Sequence, residues 1–313
     1  WSISLATLLI HHDAFENHVT PAGHPERVDR IKTVMKTLGD DRFSDLVREE
    51  APMGDANQPA LVHPDHYIEA IEEASPEDHL VQLDSDTYMS PGSLEAAYRA
   101  SGGICRAVDQ VAAGAADNAF CALRPPGHHA EKAIAMGFCL FNTVAIAARH
   151  AQKAHGFERI AIVDFDVHHG NGTQDIFWDD DSVLFCSTHQ MPLFPGSGAL
   201  NETGTKGTIC NAPLRSGDDG GHFKQAMNER VFPAIENFAP DFLLISAGFD
   251  AHERDPLANL LFTADDFRWA TGKLMELAGR FCNNRVVSTL EGGYDLEGLS
   301  VSTAAHVETL MKG

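Results

Sequence analysis

Short apolar segments alternate with longer amphipathic segments along nearly the whole chain, and this alternation restricts the fold more than any other feature. Most of the short segments are continuous runs of Val, Ile, Leu and Phe, which is typical of strands buried on both faces of a parallel sheet. Strands that alternate with helices indicate an α/β fold built on such a sheet. The predicted strands are Thr7–Ile10, Ala119–Leu123, Arg159–Phe165, Ser182–Cys186, Asp241–Ser246 and Arg285–Leu290.

Helical periodicity and capping residues locate helices between these strands. Pro25 suits the first turn of one helix, and Ser93 can cap the N-terminus of another. No linker rich in Pro, Gly or Ser divides the 313 residues, so the sequence favours a single domain. The predicted helices are Pro25–Thr37, Pro64–Glu73, Ser93–Ala113, Thr143–His155, Gly221–Asn237 and Ala264–Phe281.

The chain is strongly acidic, since 23 Lys and Arg against 45 Asp and Glu give a net charge of −22 with neutral His. A protein that tracks nucleic-acid phosphates needs surplus Lys and Arg on its surface, so no nucleic-acid partner is expected. The acidity is compatible with a cationic substrate, because a negative field attracts cations, and equally with a role in solubility alone. No run of about 18 apolar residues is present, so no membrane span is expected.

Six cysteines are spread along the chain, and none lies in a CxxC pair. So few cysteines in a chain of this length do not form a disulfide framework. We therefore expect reduced, mostly buried thiols and a cytoplasmic protein.

Polar segments follow five of the predicted strands, at the point where each strand ends. In parallel α/β sheets, ligands bind in the crevice outside the carboxyl ends of the strands. The five segments therefore predict an active site at that edge of the sheet. They are RPPGHH (124–129), DVHHGNG (166–172), STH (187–189), AGFDAH (247–252) and EGGYD (291–295).

Asp164, Asp166 and His168 occupy every second position of an extended segment, so their side chains point to one face. Buried charged groups need a counter-charge or a metal ion. Asp166 and His168, with Asp250 from a neighbouring loop, would supply three ligands and leave an open position, as catalytic metal sites do. This set suits Zn²⁺, and Fe²⁺ or Co²⁺ could also bind. The alternative is a salt-bridged surface turn, which the surrounding apolar run disfavours.

Further residues can complete such a site. His128 and His129 follow a rigid Pro-Pro-Gly turn, and a His beside a reactive water is a natural general base because its pKa lies near neutrality. Tyr294 follows two glycines and can donate a hydrogen bond to a developing oxyanion. Phe138 and Phe194 can line an apolar tube, although ordinary core packing is an equal alternative for each ring.

Together these motifs resemble the histone deacetylase family of zinc-dependent amidohydrolases, from about His11 to Tyr294. The form of HHGNG (168–172) and of DSDTYMSPGS (84–93) is similar to the class II and bacterial histone deacetylase-like branch. The motifs that carry the resemblance are RPPGHHA (124–130), GFCLFN (137–142), VDFDVHHGNGTQ (163–174), FPGSG (194–198), AGFDAHERDPL (247–257) and LEGGYDL (290–296).

The resemblance implies the arginase/deacetylase fold, a single α/β domain over residues 1–313 with a mostly parallel sheet of about eight strands flanked by helices. It implies a zinc-dependent deacetylase that removes acetyl or other short acyl groups from the ε-amine of lysine in proteins or peptides and releases acetate. One catalytic Zn²⁺ would be bound by Asp166, His168 and Asp250. A structural K⁺ would be held, mainly through carbonyl oxygens, by Asp164, Asp166, His168, Ser187 and Thr188.

The resemblance also implies catalytic roles. His129 would act as general base and then as acid toward the leaving amine, and His128 would assist electrostatically with support from Asp164. Tyr294 would donate a hydrogen bond to the acyl oxygen. Asn171 stands where class I members carry an Asp. Because an amide raises the basicity of a histidine less than a carboxylate does, we expect a different pH optimum.

Substrate contacts are implied by the same motifs. Asp86 would grip the substrate backbone at the rim of the channel. Arg27, in HPER (24–27), would lie near an inner acetate cavity. The channel for an extended alkyl chain would be lined by Gly137, Phe138 and Phe194, with Leu257 near the rim.

Three other functions stay open. An acetylpolyamine amidohydrolase would use the same site, but the segment from His12 to His24 shows no long insertion that would narrow the channel. A binuclear manganese ureohydrolase commonly has a second Asp two residues after the Asp at the strand end, and here that position is His252. A non-catalytic acyl-lysine binder is disfavoured because the predicted catalytic residues are present. The sequence leaves the oligomeric state open.

Overall fold

A sheet of eight strands runs through the centre of the molecule in the computed structural model, which describes residues 6–313. All neighbouring strands in this sheet are parallel, which confirms the predicted fold class. In spatial order the strands are β2 (Val47–Glu50), β1 (Thr7–His11), β5 (Asn118–Cys121), β10 (Val286–Leu290), β9 (Phe242–Ala247), β6 (Ile160–Asp164), β7 (Val183–Gln190) and β8 (Ile209–Leu214). A separate antiparallel pair consists of β3 (Val81–Gln82) and β4 (Tyr88–Met89).

The five strands β5, β6, β7, β9 and β10 are buried at every residue. This explains their continuous apolar sequences, because helices cover the sheet and neither face is left in water. The register places Asp164, the last residue of β6, between Ser187 of β7 and Ser246 of β9. The sheet therefore ends in polar residues on adjacent strands.

Two groups of helices pack against the sheet. In one group α9 contacts both α1 and α8, and in the other α3 contacts α4. The helices are α1 (Val28–Leu38), α2 (Asp65–Glu73), α3 (Ser93–Ala112), α4 (Thr143–His155), α5 (Asn171–Phe177), α6 (Gly220–Ala226), α7 (Phe232–Phe238), α8 (Ala264–Phe281) and α9 (Leu296–Lys312). A π-helical turn, Met227–Val231, joins α6 to α7, and three short 3₁₀ turns span Asp13–Asn17, Asp41–Phe43 and Pro59–Leu61.

Several elements were not predicted, and their sequences show why. The edge strand β2 reads VREE and is mostly exposed, so it has no apolar run. The other edge strand, β8, contains Pro213, which an edge position tolerates. Helix α9 is rich in Ser, Thr and Val, residues that favour helices weakly.

All six cysteines carry free thiols, and five of them are buried. This agrees with the expectation of reduced, mostly buried cysteines. Within residues 6–313, the helices are too short or too polar to cross a lipid bilayer.

Candidate active site

The carboxyl ends of four central strands bring the predicted site residues together. His128 and His129 follow β5, Asp166 and His168 follow β6, and Asp250 follows β9. The segment that carries Tyr294 follows β10. These strands are neighbours in the sheet, so the side chains meet at one edge, as expected for a parallel α/β sheet.

Two carboxylates and one imidazole converge at this edge. Asp166, His168 and Asp250 are all buried, and one potential ligand atom from each lies within 4.8 Å of those of the other two. Nδ1 of His168 lies 3.1 Å from Oδ1 of Asp166 and 3.1 Å from Oδ2 of Asp250. The remaining carboxylate oxygens are held by the backbone, since Gly292 N–H donates to Asp166 and Val167 N–H donates to Asp250, each over 2.8 Å.

Glycines permit this close approach. A Cβ on Gly248 would collide with Oδ2 of Asp166, and a Cβ on Gly292 would collide with Oδ2 of Asp250. The backbone therefore approaches both carboxylates in a way that other residues would prevent. Because the resulting donor set contains oxygen and imidazole nitrogen and is closed off from bulk water, it fits a divalent cation such as Zn²⁺.

The electrostatics of the cluster agree with this fit. Burial alone would lower the pKa of His168, but its hydrogen bonds to Asp166 and Asp250 raise the pKa to about 10. A buried imidazole that retains a proton against its desolvation marks a site that strongly attracts positive charge.

The tandem histidines have different partners. Nδ1 of His128 lies 2.8 Å from Oδ2 of Asp164, and Nδ1 of His129 lies 2.7 Å from Oδ1 of Asn171. The side-chain amide N–H of Asn171 donates to Glu131, so the amide oxygen faces His129 and accepts a hydrogen bond from Nδ1–H. In the neutral ring, Nε2 of His129 is then free to accept a proton.

The surroundings of the two rings give them different charges, although the ring centroids are only 3.9 Å apart. Burial lowers the pKa of His129 well below its ordinary value, and the neighbouring His128 and His168 lower it further. Burial also opposes charge on His128, but Asp164 and Asp166 raise its pKa well above the ordinary value. A charged His128 therefore lies beside a neutral His129, a division that suits one electrostatic and one basic role.

Tyr294 lines the cavity that holds His129 and His168, and its ring packs against Arg30. The Arg30 guanidinium lies over the tyrosine ring at 4.8 Å from its centroid, and Nε of Arg30 donates to the carbonyl of Gly293 over 2.6 Å. Burial raises the pKa of Tyr294 well above 10, so its phenol stays protonated and can act as a hydrogen-bond donor.

A cavity of about 240 Å³ leads to these groups. A Cβ on Gly137, where φ is +56°, would collide with the His129 ring, so glycine is required at this point of the wall. The Phe194 ring lies 5.1 Å from His129, and the Phe138 ring lies 5.8 Å from Tyr294. The cavity is lined by Asp86, His129, Gly137, Phe138, His168, Leu193, Phe194, Leu257 and Tyr294, of which Leu193 alone was not singled out from the sequence.

Comparison with known proteins assigns the family. The family model described as "Histone deacetylase domain" matches residues 24–310. The chain belongs to the histone deacetylase family. It is therefore a hydrolase of the deacetylase and amidohydrolase type, and the resemblance stated from the motifs is confirmed.

Similar proteins extend over nearly the whole chain. A probable deacetylase of Archaeoglobus fulgidus is 37% identical over 315 residues, which cover 99% of this chain and 87% of that protein. A histone deacetylase-like amidohydrolase of Pseudomonas aeruginosa is 40% identical over 282 residues, which cover 87% of this chain and 73% of that protein. The crystal structure of the HDA15 HD domain superposes with a TM-score of 0.93 at 34% identity, covering 98% of this chain and 88% of that one.

The structure corrects one expected member of this deacetylase site. Arg27 precedes α1, has a side chain that is 47% exposed, and lies 3.4 Å from Asp29. It therefore does not reach an inner cavity. Arg30, nearly one helical turn later, is 1% exposed and contacts Tyr294. The HPER segment indicates the correct region, but α1 begins only at Val28, which turns Arg27 outward and Arg30 inward.

A buried carboxylate explains this late helix start. Glu26 is fully buried, accepts from Arg30 over 3.0 Å and forms a two-pronged pair with Arg124 over 2.6 and 2.8 Å. These contacts hold residues 25–27 out of the helix. The i,i+4 spacing of Glu26 and Arg30 is a sequence signal for such a pair.

Two further carboxylates of the deacetylase site were also missed, although both lie inside recognised motifs. Oε2 of Glu291 accepts from the backbone N–H groups of Gly127 and His128, and burial raises the pKa of Glu291 to about 7. Oδ2 of Asp255 accepts from the N–H of Tyr294 over 2.7 Å, and burial raises the pKa of Asp255 to about 7. Glu291 positions the loop that carries His128 and His129, and Asp255 positions Tyr294.

Proposed function

We propose that residues 1–313 form the catalytic domain of a zinc-dependent deacetylase that removes acetyl groups from the ε-amine of lysine in proteins or peptides. The observation that carries the proposal is the cavity, whose walls hold Phe138, Phe194 and Leu257 and whose lining also includes His129, His168 and Tyr294. Apolar walls suit the four methylenes of a lysine side chain, and the polar groups suit the amide at its end.

Asp166, His168 and Asp250 would hold the zinc ion, supported by their burial and convergent donor atoms. When bound, Zn²⁺ polarises the amide carbonyl and lowers the pKa of a water molecule toward about 7. The three side chains would orient the ion, and the close approach of the Gly248 and Gly292 backbones keeps the two carboxylates in place.

The remaining groups transfer protons and stabilise the charge that develops during the reaction. Nε2 of His129 takes the proton of the attacking water and later delivers it to the leaving amine, because Nδ1 is occupied by Asn171. His128, paired with Asp164, supplies positive charge beside the developing anion. The Tyr294 hydroxyl donates to the acyl oxygen, and Arg30 keeps the tyrosine in position.

We also propose the structural K⁺ expected beneath this site. In support, Asp164 of β6 lies opposite Ser187 of β7, so the carbonyl-bearing segments around Asp166, His168 and Thr188 are adjacent. Within the described part of the chain, the buried hydroxyl of Thr188 has no hydrogen-bond partner. The six free thiols support our further proposal of a reducing compartment such as the cytoplasm.

Two other activities are kept as alternatives to this proposal. Asp86 at the cavity wall could pair with a second ammonium group, which favours an acetylpolyamine as the alternative substrate. For the binuclear manganese ureohydrolase, the described ligand group contains Asp166, His168 and Asp250 but not His252. The separation of the bound metal ions would decide this point, since one ion in the active site is expected rather than two about 3.5–4 Å apart.

The decisive experiment measures acetate released by the zinc-loaded protein from an acetyl-lysine peptide and from N-acetylputrescine at matched concentrations. Preference for the peptide would support the proposal, and preference for N-acetylputrescine would replace it with a polyamine amidohydrolase. Release from neither substrate, with Tyr294→Phe as the reference for background, would contradict acetyl hydrolysis and favour longer acyl groups or a non-catalytic binder.

A further inference from the structure

Three potential metal-binding side chains, one Asp and two His, meet at a second place, away from the active site. Asp109 lies in the last turn of α3, and His150 and His155 lie in the second half of α4. Nε2 of His150 and Nε2 of His155 each lie 2.7 Å from the same oxygen, Oδ1 of Asp109. The three potential ligand atoms all lie within 4.8 Å of one another.

The helices bring this group together without the help of the catalytic loops. Helices α3 and α4 pack side by side, and α4 ends at His155 before Gly156, whose φ of +72° terminates the helix. Both Asp109 and His155 therefore lie near helix C-termini. The backbone carbonyls there carry partial negative charge and favour a cation.

We propose that Asp109, His150 and His155 form a second divalent-cation site, with Zn²⁺ as the preferred ion. One carboxylate and two imidazoles are ligands that zinc accepts at about 2.0–2.2 Å, with three protein ligands and a water completing a tetrahedron. Such a tetrahedron separates its ligand atoms by roughly 3.3 Å. Each N···O distance of 2.7 Å must then open by roughly 0.6 Å.

The three side chains have room for this adjustment. The side chain of Asp109 is 41% exposed, that of His150 is 21% exposed and that of His155 is 26% exposed. The ion and its water would reach the site from solvent, and a bound ion would fasten α3 to α4.

Distance separates this site from the catalytic cluster. The N-terminal end of α4 lies next to the loop that carries His128 and His129. There the side chain of Asn142, which caps α4, donates to the carbonyl of Ala130 over 3.1 Å. The 13 residues of α4 place its two ends roughly 20 Å apart. The two sites therefore share no ligand, and the proposal is independent of the catalytic one.

Equilibrium dialysis against Zn²⁺, with metal counted per chain, tests the proposal in a two-by-two design. The wild type should bind two ions, and the double variant His150→Gln/His155→Gln should bind one. Asp250→Asn, which affects the catalytic cluster, should also bind one ion, and the combination of all three substitutions should bind none. Asp109→Asn keeps an oxygen that can accept hydrogen bonds but loses the charge, so it should lose the second ion while retaining the fold.

A matched control comes from another surface pair. His79 lies 2.9 Å from Asp78, and neither belongs to a group of three potential ligands in the described chain. His79→Gln should therefore still bind two ions. A single ion in the wild type that persists in the double variant would overturn the second site and show that the three side chains only share hydrogen bonds. If instead Asp250→Asn leaves the count unchanged while the double variant loses one ion, the second site stands and the catalytic assignment fails.

Discussion

Glu131 accepts a hydrogen bond of 2.7 Å from the side-chain amide of Asn171, whose oxygen faces the ring of His129. The carboxylate of Glu131 thus binds the side-chain amide of Asn171, which in turn orients His129, the proposed general base. Its negative charge polarises the amide and strengthens the acceptor for Nδ1 of His129. Asn171 therefore does not act on His129 alone, because the negative charge that an aspartate would supply at this position comes from Glu131 through the amide.

Removing this charge should weaken the base. For Glu131→Gln we expect kcat to fall by about 10-fold, as for other outer-shell partners of catalytic groups. The acid limb of the kcat/KM profile should move to lower pH, because a less basic His129 has a lower pKa. Steady-state rates across pH would check both effects. Unchanged kcat and pH profile would show that Glu131 only fixes the loop.

The phenol of Tyr294 should matter for turnover but not for metal binding. In Tyr294→Phe we expect kcat on an acetyl-lysine peptide to fall by about 10²–10³, because one donor to the developing oxyanion is lost. Zinc content should equal that of the wild type. Tyr88→Phe, outside the cavity lining, is the control and should turn over normally. Near-wild-type turnover by Tyr294→Phe on this unactivated substrate would remove the tyrosine from the mechanism.

Substitution of the two arginines near the start of α1 should affect stability to very different extents. Arg30→Met leaves the buried Glu26 short of a partner, and loss of one partner from a buried ion pair costs about 3–5 kcal/mol of unfolding free energy. Arg27→Met affects an exposed side chain and should change stability by less than about 0.5 kcal/mol. Denaturant unfolding of both variants measures this difference. Equal losses would contradict the assignment of Arg30 as the buried residue.

These arginines also show what the sequence could and could not predict. The buried strands and the polar segments behind them were predictable, because a two-sided parallel sheet imposes continuous apolar runs and collects its ligands at one edge. The position of Arg30 was not, because it depends on the residue at which α1 starts. That start is set by a tertiary pairing of Glu26 with Arg124, 98 residues away. Asp109 and His150 were missed for a similar reason, since helix packing alone joins them.

A buried histidine in the core should make stability depend on pH. His306 of α9 is fully buried between the hydroxyls of Thr271 and Ser288, and burial lowers its pKa to about 3. Between pH 6.5 and 3 the unfolded chain binds a proton at this residue and the folded chain does not. Stability should therefore rise with pH across this window, with a contribution of up to about 1.4 kcal/mol per pH unit, and His306 should add nothing further above pH 6.5.

The variant His306→Gln should remove this contribution. Its free energy of unfolding, measured by denaturant titration at several pH values, should show a shallower slope between pH 6.5 and 4 than the wild type. His66→Gln, at an exposed position, is the control and should leave the slope unchanged. A slope in His306→Gln equal to that of the wild type would show that His306 accepts its proton in the folded core.

The glycine at position 292 should be required for metal binding. A Cβ there would collide with Oδ2 of Asp250 and would also crowd Oδ2 of Asp166, so Gly292→Ala must push the two carboxylates apart. We expect this variant to lose the zinc ion of the active site together with its activity, measured as a decrease of one ion per chain after dialysis and as loss of acetate release. Gly272→Ala is the matched control, since a Cβ there meets only Thr309, at 3.7 Å, and it lies within α8. This control should retain zinc and gain up to about 1 kcal/mol of stability, because alanine favours a helix more than glycine does. A Gly292→Ala protein with full zinc content would show that the carboxylates can converge without the close backbone approach.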